Sequence, residues 1–537
     1  MSARPKYLSP AVVPQPLIHR WYAWPHLLSP HTAAFNLRDR QLEILRSYVR
    51  APQTHAKALA KPGMYGGPFL NPYGAPVEAV QQLLDRTVAD AAPLLRFADE
   101  IDEARRMLRE KASGRSLAPW YPRLGASLRG FVELVYDPGD RAHLRFFEPL
   151  LYRSALYDRS AQTVSLLPAP RLDQPFIFSS PVLPDPDRVD LATPFDSPDL
   201  DALHAARHDP ADPWELAGRL GVREEDLTRF LELFTDEPPR PHQPVASGVR
   251  VRFFGHACVL IESESHSVLL DPLIGYERDG HDHFTADDLP PRIDALVLSH
   301  AHPDHVSVET LLRLRHRVGV AVVPQDSHGG LADPGLGPLL TALGYRDVRR
   351  LGELESADFG GGVSVTALPF LGEHADLDIR SKMVPLVRFG DRSFLFATDT
   401  TLLEPELFHR LGDAIPPVDA LFIGLESVGA PLSWLYGPLL EQRPSREIDQ
   451  ERRVNGSDAA GAVEIARLVR ARRIYAYAMG FEPWLRHLTG SAFDPDSEQM
   501  RQVNLLLGTC AEGGLPARLL YRRAELRFTA DGVTEEE

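Results

Sequence analysis

Four side chains that can bind metal ions lie within six residues near the middle of this chain, in a His-x-His-x-Asp-His run. They are His300, His302, Asp304 and His305. Imidazole and carboxylate groups are the ligands of zinc, iron and manganese in proteins. The spacing lets His300 and His302 reach one ion while Asp304 and His305 reach a second. The run therefore predicts a metal centre.

A buried strand must deliver this run to its place in the fold. The apolar residues 295–298 come directly before it, and Ser307 after it is a suitable N-cap for a helix. Later helices are expected at 456–469 and 497–507. The other expected strands are 251–254, 257–262, 267–270, 318–323, 362–367, 393–397, 420–423, 473–478 and the end of 519–528. Two blocks of strands with interleaved helices predict an α/β fold in which helices cover a sandwich of sheets.

Ionisable residues also follow the later strands of this pattern. Glu373 and His374 come after strand 362–367, Asp399 after 393–397, and Glu426 after 420–423. Loops at strand ends converge, so these side chains are candidates for the same site. Neighbours on an extended segment point to opposite sides, so we expect only one of Glu373 and His374 to reach the metals. Glu426 is a candidate catalytic acid beside the ligands or a mobile ligand, and a loop carboxylate without a metal role is the alternative.

A proline-rich segment divides the chain. Residues 238–244 contain four prolines, which cannot sustain a helix or a central strand. We expect a linker there, between a mixed α+β domain at 1–240 and a catalytic domain at 246–537. Helical spacing in the first part predicts helices near 42–49 and 80–91, and β-rich runs predict strands at 131–136, 164–167 and 176–178. No catalytic constellation is visible in that part.

Composition limits the function classes. The 537 residues carry a formal net charge of −16, whereas nucleic-acid binding needs lysines and arginines that displace counterions from phosphates. No stretch reaches the roughly 18 apolar residues that a membrane helix needs, and the first residues lack the pattern of a secretion signal. With two cysteines, Cys258 and Cys510, a disulfide framework is excluded. We therefore expect a cytoplasmic protein that binds neither nucleic acid nor membranes.

Several motifs together resemble the metallo-β-lactamase fold. They are the Phe-Gly-His-Ala turn at 254–257, the Leu-Asp-Pro step at 270–272, the histidine run and the lone Asp399. The resemblance covers about residues 247–537 and implies an αββα sandwich with one or two metals between its sheets. It also implies that Asp399 bridges the two metals. The usual members of this fold are zinc hydrolases.

Two motifs depart from the hydrolase pattern. Glu373 and His374 stand where a single histidine is usual, and Met479-Gly480 stands where a last histidine ligand is usual. The nearest histidine, His487, is expected to be a surface residue or a neighbour of the ligands. The departures and the long N-terminal extension resemble the diiron β-hydroxylases of this fold, and that resemblance implies Glu373 rather than His374 as the ligand. Carboxylate-rich ligation also suits iron or manganese better than zinc.

The resemblance implies a function as well. Members of that family hydroxylate the β-carbon of an amino acid that is held as a thioester on a carrier domain of a nonribosomal peptide synthetase, in antibiotic biosynthesis. The expected cofactor is a pair of iron ions, with O₂ as co-substrate and electrons from an external donor. A homodimer is expected, with the N-terminal domain at its interface or at the substrate access route. The alternative is a dinuclear zinc or manganese hydrolase acting on a lactone, phosphodiester or thioester.

A carrier partner raises one electrostatic question. Carrier domains are commonly acidic, and this chain is acidic too, so docking would need a local basic or apolar patch. Arg313, Arg315 and Arg317 are the candidate patch in the sequence, and a solvated helix face is the alternative.

Overall fold

Two β-sheets face each other in the second half of the chain. The computed structural model describes residues 4–61, 64–71, 76–169, 174–278 and 282–536. The first sheet has eight strands and is parallel at one end and antiparallel at the other. In spatial order its strands are Val348–Leu351, Val318–Pro324, Ile293–Val297, Ser267–Leu270, Cys258–Glu262, Val249–Gly255, Ala524–Thr529 and Gly532–Glu536.

The second sheet has seven strands. The first four pair antiparallel, and the remaining neighbours pair parallel. In spatial order they are Ser356–Asp358, Val363–Leu368, Val384–Phe389, Arg392–Phe396, Ala420–Ile423, Ile474–Ala476 and Ala517–Leu519.

The inner faces of the sheets close over a shared hydrophobic core. Side chains alternate along a strand, so Val251 and Phe253 both project inward, where they join Phe394 and Phe396 of the second sheet. Helices cover both outer faces and complete the αββα sandwich that the sequence predicts. The helices of this half are Val308–Leu314, Leu336–Ala342, Pro405–Ala414, Leu432–Leu435, Arg446–Glu451, Ala459–Leu468, Arg486–Thr489 and Glu498–Glu512.

The first half of the chain combines a small sheet with helices. Four strands pair in the order Trp21–Tyr22, Val13–Ile18, Gln162–Leu167 and Val189–Leu191, and Val132–Tyr136 forms a hairpin with Ala142–Phe146. The helices are Pro25–Leu28, Pro30–Asn36, Leu42–Arg50, Pro52–Leu59, Val77–Asp90, Ala92–Lys111, Glu148–Leu151, Pro198–Ala205, Pro213–Arg219 and Leu227–Glu232. The expected strand at 176–178 is wrong: the segment is irregular and turns at Ile177. The ring of Phe178 packs against the rings of Tyr22 and Trp24. This aromatic residue is therefore buried by ring contacts and not by strand pairing.

The two halves share one hydrophobic core. Trp21 and Leu166 from the first half belong to the same buried cluster as Leu260 and Leu296 from the first sheet of the sandwich. Residues 236–248 between the halves form neither helix nor strand. Within the described residues, no helix is both long and apolar enough to cross a membrane.

The arginine patch expected to be a docking surface is wrong, because two of its members are buried. Arg315 donates hydrogen bonds to the Asp201 carboxylate and to the backbone carbonyl of Ser197, and it also bonds the carbonyls of Phe195 and Leu343. Arg317 bonds the backbone carbonyls of residues 286, 289 and 290. These guanidinium groups therefore join parts of the fold.

Candidate metal centre

The histidine run lies in the loop that leaves the strand Ile293–Val297. The strand is central and parallel to its neighbours on both sides, so its carboxyl end opens between the two sheets. The side chains of His300 and His305 are fully buried in this loop. The helix Val308–Leu314 follows, and the Ser307 side chain accepts a hydrogen bond from the amide of Thr310 at 3.2 Å, as the predicted N-cap does.

One group of candidate ligands gathers around Glu373. Its Oε1 lies 2.7 Å from Nδ1 of His302, and its Oε2 lies 3.1 Å from Nε2 of His300. The carboxylate thus spans both imidazoles, although it comes from the other sheet. Together with His374, these residues offer ligand atoms that all lie within 4.8 Å of one another.

A second group gathers around Asp399. Its Oδ2 lies 2.9 Å from Nε2 of His305 and 3.7 Å from Nε2 of His300. Asp304 extends this group, because its Oδ2 lies 3.9 Å from Nε2 of His305 and 3.3 Å from Nε2 of His256. Asp399 therefore sits between His305 and His300, where the two groups meet.

Unusual backbone conformations concentrate at this centre. Glu373, Thr398, Asp271 and His256 have φ angles of 56°, 29°, 36° and 49°. Residues other than glycine rarely adopt such left-handed angles, and each costs about 1–3 kcal/mol, which the surrounding structure must offset. The expectation that Glu373 and His374 point to opposite sides is wrong for this reason. The segment is a left-handed turn rather than an extended strand, and both side chains face the same group.

His374 contributes a free ring nitrogen to this group. Its Nδ1 lies 3.0 Å from the carbonyl oxygen of Gly372, which accepts a hydrogen bond from the Nδ1–H. Its Nε2 is buried without a hydrogen-bond partner among the described residues, and its ring stacks on His302 with 4.6 Å between centroids.

Asp271 orients two of the histidines, a role for which the Leu-Asp-Pro step was the only sequence signal. Its carboxylate accepts hydrogen bonds from Nδ1–H of His305 at 3.0 Å and from the amide and hydroxyl of Ser299 at 2.7 and 2.6 Å. The Ser299 hydroxyl in turn lies 2.9 Å from Nδ1 of His300. These hydrogen bonds hold the Nδ1 atoms of His300 and His305 on the side of each ring that points away from the centre. Both Nε2 atoms therefore face the centre.

Tyr436 supports the third histidine. Its hydroxyl lies 2.9 Å from Nε2 of His302, on the side opposite Glu373. The tyrosine reaches the centre from a segment more than 130 residues further along the chain, and no local pattern could identify this contact.

The position that usually holds a last histidine ligand is filled differently here. Met479 accepts a hydrogen bond through Sδ from the amide of Leu425 at 3.4 Å, so it packs beneath the neighbouring loop. His487 lies outside the candidate ligand groups and lines a separate small cavity with Tyr276 and Glu309. Burial and the nearby Arg278 lower the pKa of His487 to about 4.

The centre fits a bound cation. Nε2 of His300, Nε2 of His305 and Oε2 of Glu373 are buried and lack hydrogen-bond partners among the described residues. Nε2 of His300 lies 3.1 Å from Oε2 of Glu373 and Nε2 of His305 lies 2.9 Å from Oδ2 of Asp399, without hydrogen-bond geometry, and a metal ion would satisfy all three atoms. Burial lowers the pKa of His300 well below its ordinary value, whereas the carboxylates of Asp399 and Asp304 outweigh burial and raise the pKa of His305.

Glu426 lies close enough to this centre to interact electrostatically with its carboxylates. Burial and nearby carboxylates, Asp399 first among them, raise the pKa of Glu426 well above its ordinary value. The Gly456 amide donates a hydrogen bond to the Glu426 carbonyl at 2.8 Å, which fixes the backbone of this loop.

A pocket opens onto the centre. Its volume is about 910 Å³, and Glu373 and His374 form part of its wall. Leu371 and Leu402 add apolar surface, and Arg452, which donates hydrogen bonds to the Ala375 carbonyl, also lines the pocket. Substrate can therefore approach the centre from the side of Glu373.

A metallo-β-lactamase sandwich with clustered histidines and carboxylates between its sheets defines a class of metal-dependent enzyme. Comparison with known proteins narrows the class. Residues 7–238 match the family described as diiron non-heme beta-hydroxylase N-terminal domain, and residues 266–477 match the beta-lactamase superfamily domain. The chain is 38% identical over 527 residues to the 4-amino-L-phenylalanyl-(CmlP-peptidyl-carrier-protein) 3-hydroxylase of Streptomyces venezuelae, which covers 96% of this chain and 98% of that protein.

Solved structures give the same result. The crystal structure of CmlA, a diiron β-hydroxylase from Streptomyces venezuelae, matches with a TM-score of 0.90 at 37% identity, covering 98% of this chain and 100% of that one. A point mutant of CmlA matches with a TM-score of 0.88 at 38% identity, covering 97% and 99%. The chain therefore belongs to the diiron non-heme β-hydroxylase family. Its class is that of a monooxygenase with two irons as cofactor and O₂ as co-substrate.

Proposed function

We propose that this protein hydroxylates the β-carbon of an amino acid that is tethered as a thioester to a carrier domain of a nonribosomal peptide synthetase. One atom of O₂ enters the substrate and the other leaves as water, with two electrons from an external donor and two protons. The Streptomyces venezuelae relative is named for a 4-aminophenylalanyl group on a peptidyl carrier protein, which supports this substrate class.

The proposed ligands of the two irons come from both sheets. They are His300, His302, Asp304, His305, Glu373 and Asp399. Glu373 carries the proposal, because it lies within 3.1 Å of nitrogen atoms on two histidines at the position where hydrolases have a neutral histidine. An added carboxylate favours iron over zinc, and zinc has no redox chemistry. His374 offers one further ligand atom to this group through its Nε2 atom.

Iron held by these residues would supply the binding of O₂ and the oxidising power to replace a C–H bond by a C–OH bond. The protein positions the reacting groups. Asp271 and Tyr436 fix the orientation of the histidine ligands, and the pocket beside Glu373 holds the aminoacyl group. We propose Glu426 as an acid that acts beside the ligands.

The roles of the two domains are also a proposal. Residues 246–537 would form the catalytic domain, and residues 1–240 would shape substrate access and a homodimer interface. Sedimentation velocity of the purified protein tests the dimer. A single species at the monomer mass of 59.8 kDa across micromolar concentrations contradicts it.

Metal analysis of anaerobically purified protein, followed by single-turnover reaction, tests the function. We expect about two irons per chain, optical bands that change on reduction and O₂ addition, and a mass gain of one oxygen atom on the carrier-bound amino acid. Two zinc ions, a featureless spectrum and thioester hydrolysis would instead establish the hydrolase alternative.

A further inference from the structure

A groove on the surface concentrates positive charge in an otherwise acidic protein. Seven arginines and only four carboxylate residues line it, whereas the whole chain has a net charge of −16. We call it the arginine groove. Its volume is about 1030 Å³, and helices Leu42–Arg50 and Ala92–Lys111 form one wall while residues 433–444 form the other.

Several of these arginines are free to bind a partner. Arg105 and Arg109 interact with Glu441, which bridges the groove. Arg50, Arg106 and Arg443 are exposed, and within the described ranges they take part in none of the ion pairs. Exposed cations without counterions attract an acidic surface and accelerate its association.

The arginine groove lies next to the metal centre. At its inner end, Arg40 donates a hydrogen bond to the backbone carbonyl of Trp434. Two residues further on, the Tyr436 hydroxyl contacts the candidate ligand His302 at 2.9 Å. The same segment continues to Arg452 and Arg453, which line the pocket that opens on Glu373. One continuous segment, residues 434–453, therefore connects the wall of the groove to the wall of the active-site pocket.

We propose that the arginine groove is the docking surface for the acidic carrier domain that presents the substrate. This inference rests on the proposed function. Peptidyl carrier domains are commonly acidic, and the arm that bears their thioester begins with a phosphodiester, so both match a cation-rich groove. The groove also answers the charge question raised by the sequence, because Arg315 and Arg317 are buried and unable to dock a partner.

The test reverses three charges on the groove. The variant carries Arg50→Glu, Arg106→Glu and Arg443→Glu. The matched control carries Arg153→Glu, Arg346→Glu and Arg388→Glu, which are also exposed, lie outside the groove and change the net charge equally. The probe is the holo carrier domain of CmlP from Streptomyces venezuelae, with binding measured by fluorescence anisotropy at two salt concentrations. The same carrier loaded with 4-amino-L-phenylalanine serves as the tethered substrate, and the matching N-acetylcysteamine thioester serves as the untethered substrate.

We expect the groove variant to bind the carrier at least tenfold more weakly than wild type and to lose most of the salt dependence, while the control stays within twofold. Turnover of the small thioester should be unchanged in both. Equal carrier binding by wild type and groove variant overturns the docking proposal, as does a wild type that hydroxylates the small thioester without binding the carrier. A wild type that hydroxylates neither substrate overturns the proposed function itself. Conversion of a dimer to monomers by the groove variant would assign the groove to a second copy of this chain and also overturn the proposal.

Discussion

The Asp271 carboxylate accepts a hydrogen bond of 3.0 Å from Nδ1–H of His305 and, through the Ser299 hydroxyl, also restrains His300. One carboxylate thus sets the ring orientation of two candidate iron ligands. It comes from the strand next to the one that carries the histidines, and its φ angle of 36° shows that the fold maintains a strained backbone to place it.

Asp271→Asn should weaken iron binding without unfolding the protein. The amide cannot accept all three hydrogen bonds that the carboxylate accepts, so His305 loses its fixed orientation. Changes of this kind typically cost about 10–100-fold in metal affinity. Iron titration of the apoprotein measures the effect. Asp282→Asn, at an exposed carboxylate, is the control, and equal iron affinity in the two variants would exclude the orienting role.

Glu373→Gln should remove most hydroxylation activity and lower the iron content. The neutral amide is a weak ligand and withdraws the charge that favours iron, so we expect turnover to fall at least about 100-fold. Asp378→Asn is the control on the same loop, since Asp378 is largely exposed and lies outside the pocket. Wild-type iron content and turnover in Glu373→Gln would refute the ligand assignment.

Tyr436→Phe should lower the iron affinity of the centre and shift its optical spectrum while leaving the fold intact. The substitution removes only the hydroxyl that lies 2.9 Å from Nε2 of His302. A lost hydrogen bond of this type is worth about 0.5–1.5 kcal/mol, which corresponds to a change of about 2–13-fold in iron affinity. The optical spectrum of the iron-loaded protein should shift as well. Tyr345→Phe, whose hydroxyl bonds the carbonyl of Leu311, is the control that should leave the spectrum unchanged.

Glu148→Gln should remove a pH-dependent loss of stability. Burial raises the pKa of Glu148 to about 8, well above its ordinary value of 4.5. The folded state therefore holds this proton more tightly than the unfolded chain, and the resulting stability is present below pH 4.5 and lost as the pH rises through about 8. The slope is at most about 1.4 kcal/mol per pH unit for one proton.

Thermal melting at pH 5.5 and pH 8.5 checks this prediction. The midpoint of Glu148→Gln should rise relative to wild type as the pH increases, by several degrees. Glu110→Gln, at an exposed helix position, should follow wild type at both values. A constant difference between Glu148→Gln and wild type would contradict the raised pKa.

Arg315→Met should destabilise the fold rather than impair docking. The substitution leaves the Asp201 carboxylate and three backbone carbonyls without their donor. The Asp201 side chain is 32% exposed, so the main cost is that of the buried carbonyls left without a donor, about 1–3 kcal/mol. Chemical denaturation measures it, with Arg346→Met as the exposed control. If Arg315→Met kept wild-type stability but bound the carrier more weakly, the patch of Arg313, Arg315 and Arg317 would again be a candidate docking surface.

The sequence by itself determined the parts of the centre that are contiguous in the chain. Four candidate ligands fall within six residues, and the apolar strand before them and the serine N-cap after them follow from local rules. The strand pattern predicted a sandwich of sheets covered by helices, and the resemblance of the motifs to the metallo-β-lactamase fold implied its αββα order. Asp399, Glu373 and His374 were candidates because each follows a strand whose pattern is local, and only the family resemblance favoured Glu373 over His374.

Only the tertiary structure decided how distant segments combine. Whether Glu373 and His374 both face the centre depends on left-handed backbone angles that the surrounding fold imposes against local preference. The contacts of Asp271 and Tyr436 depend on packing between segments far apart in the chain. Arginines near 315 and near 106 look alike in the sequence, yet one set is buried against carbonyl groups and the other lines an open groove. Burial is a property of the whole fold, which is why composition and spacing could not distinguish the two sets.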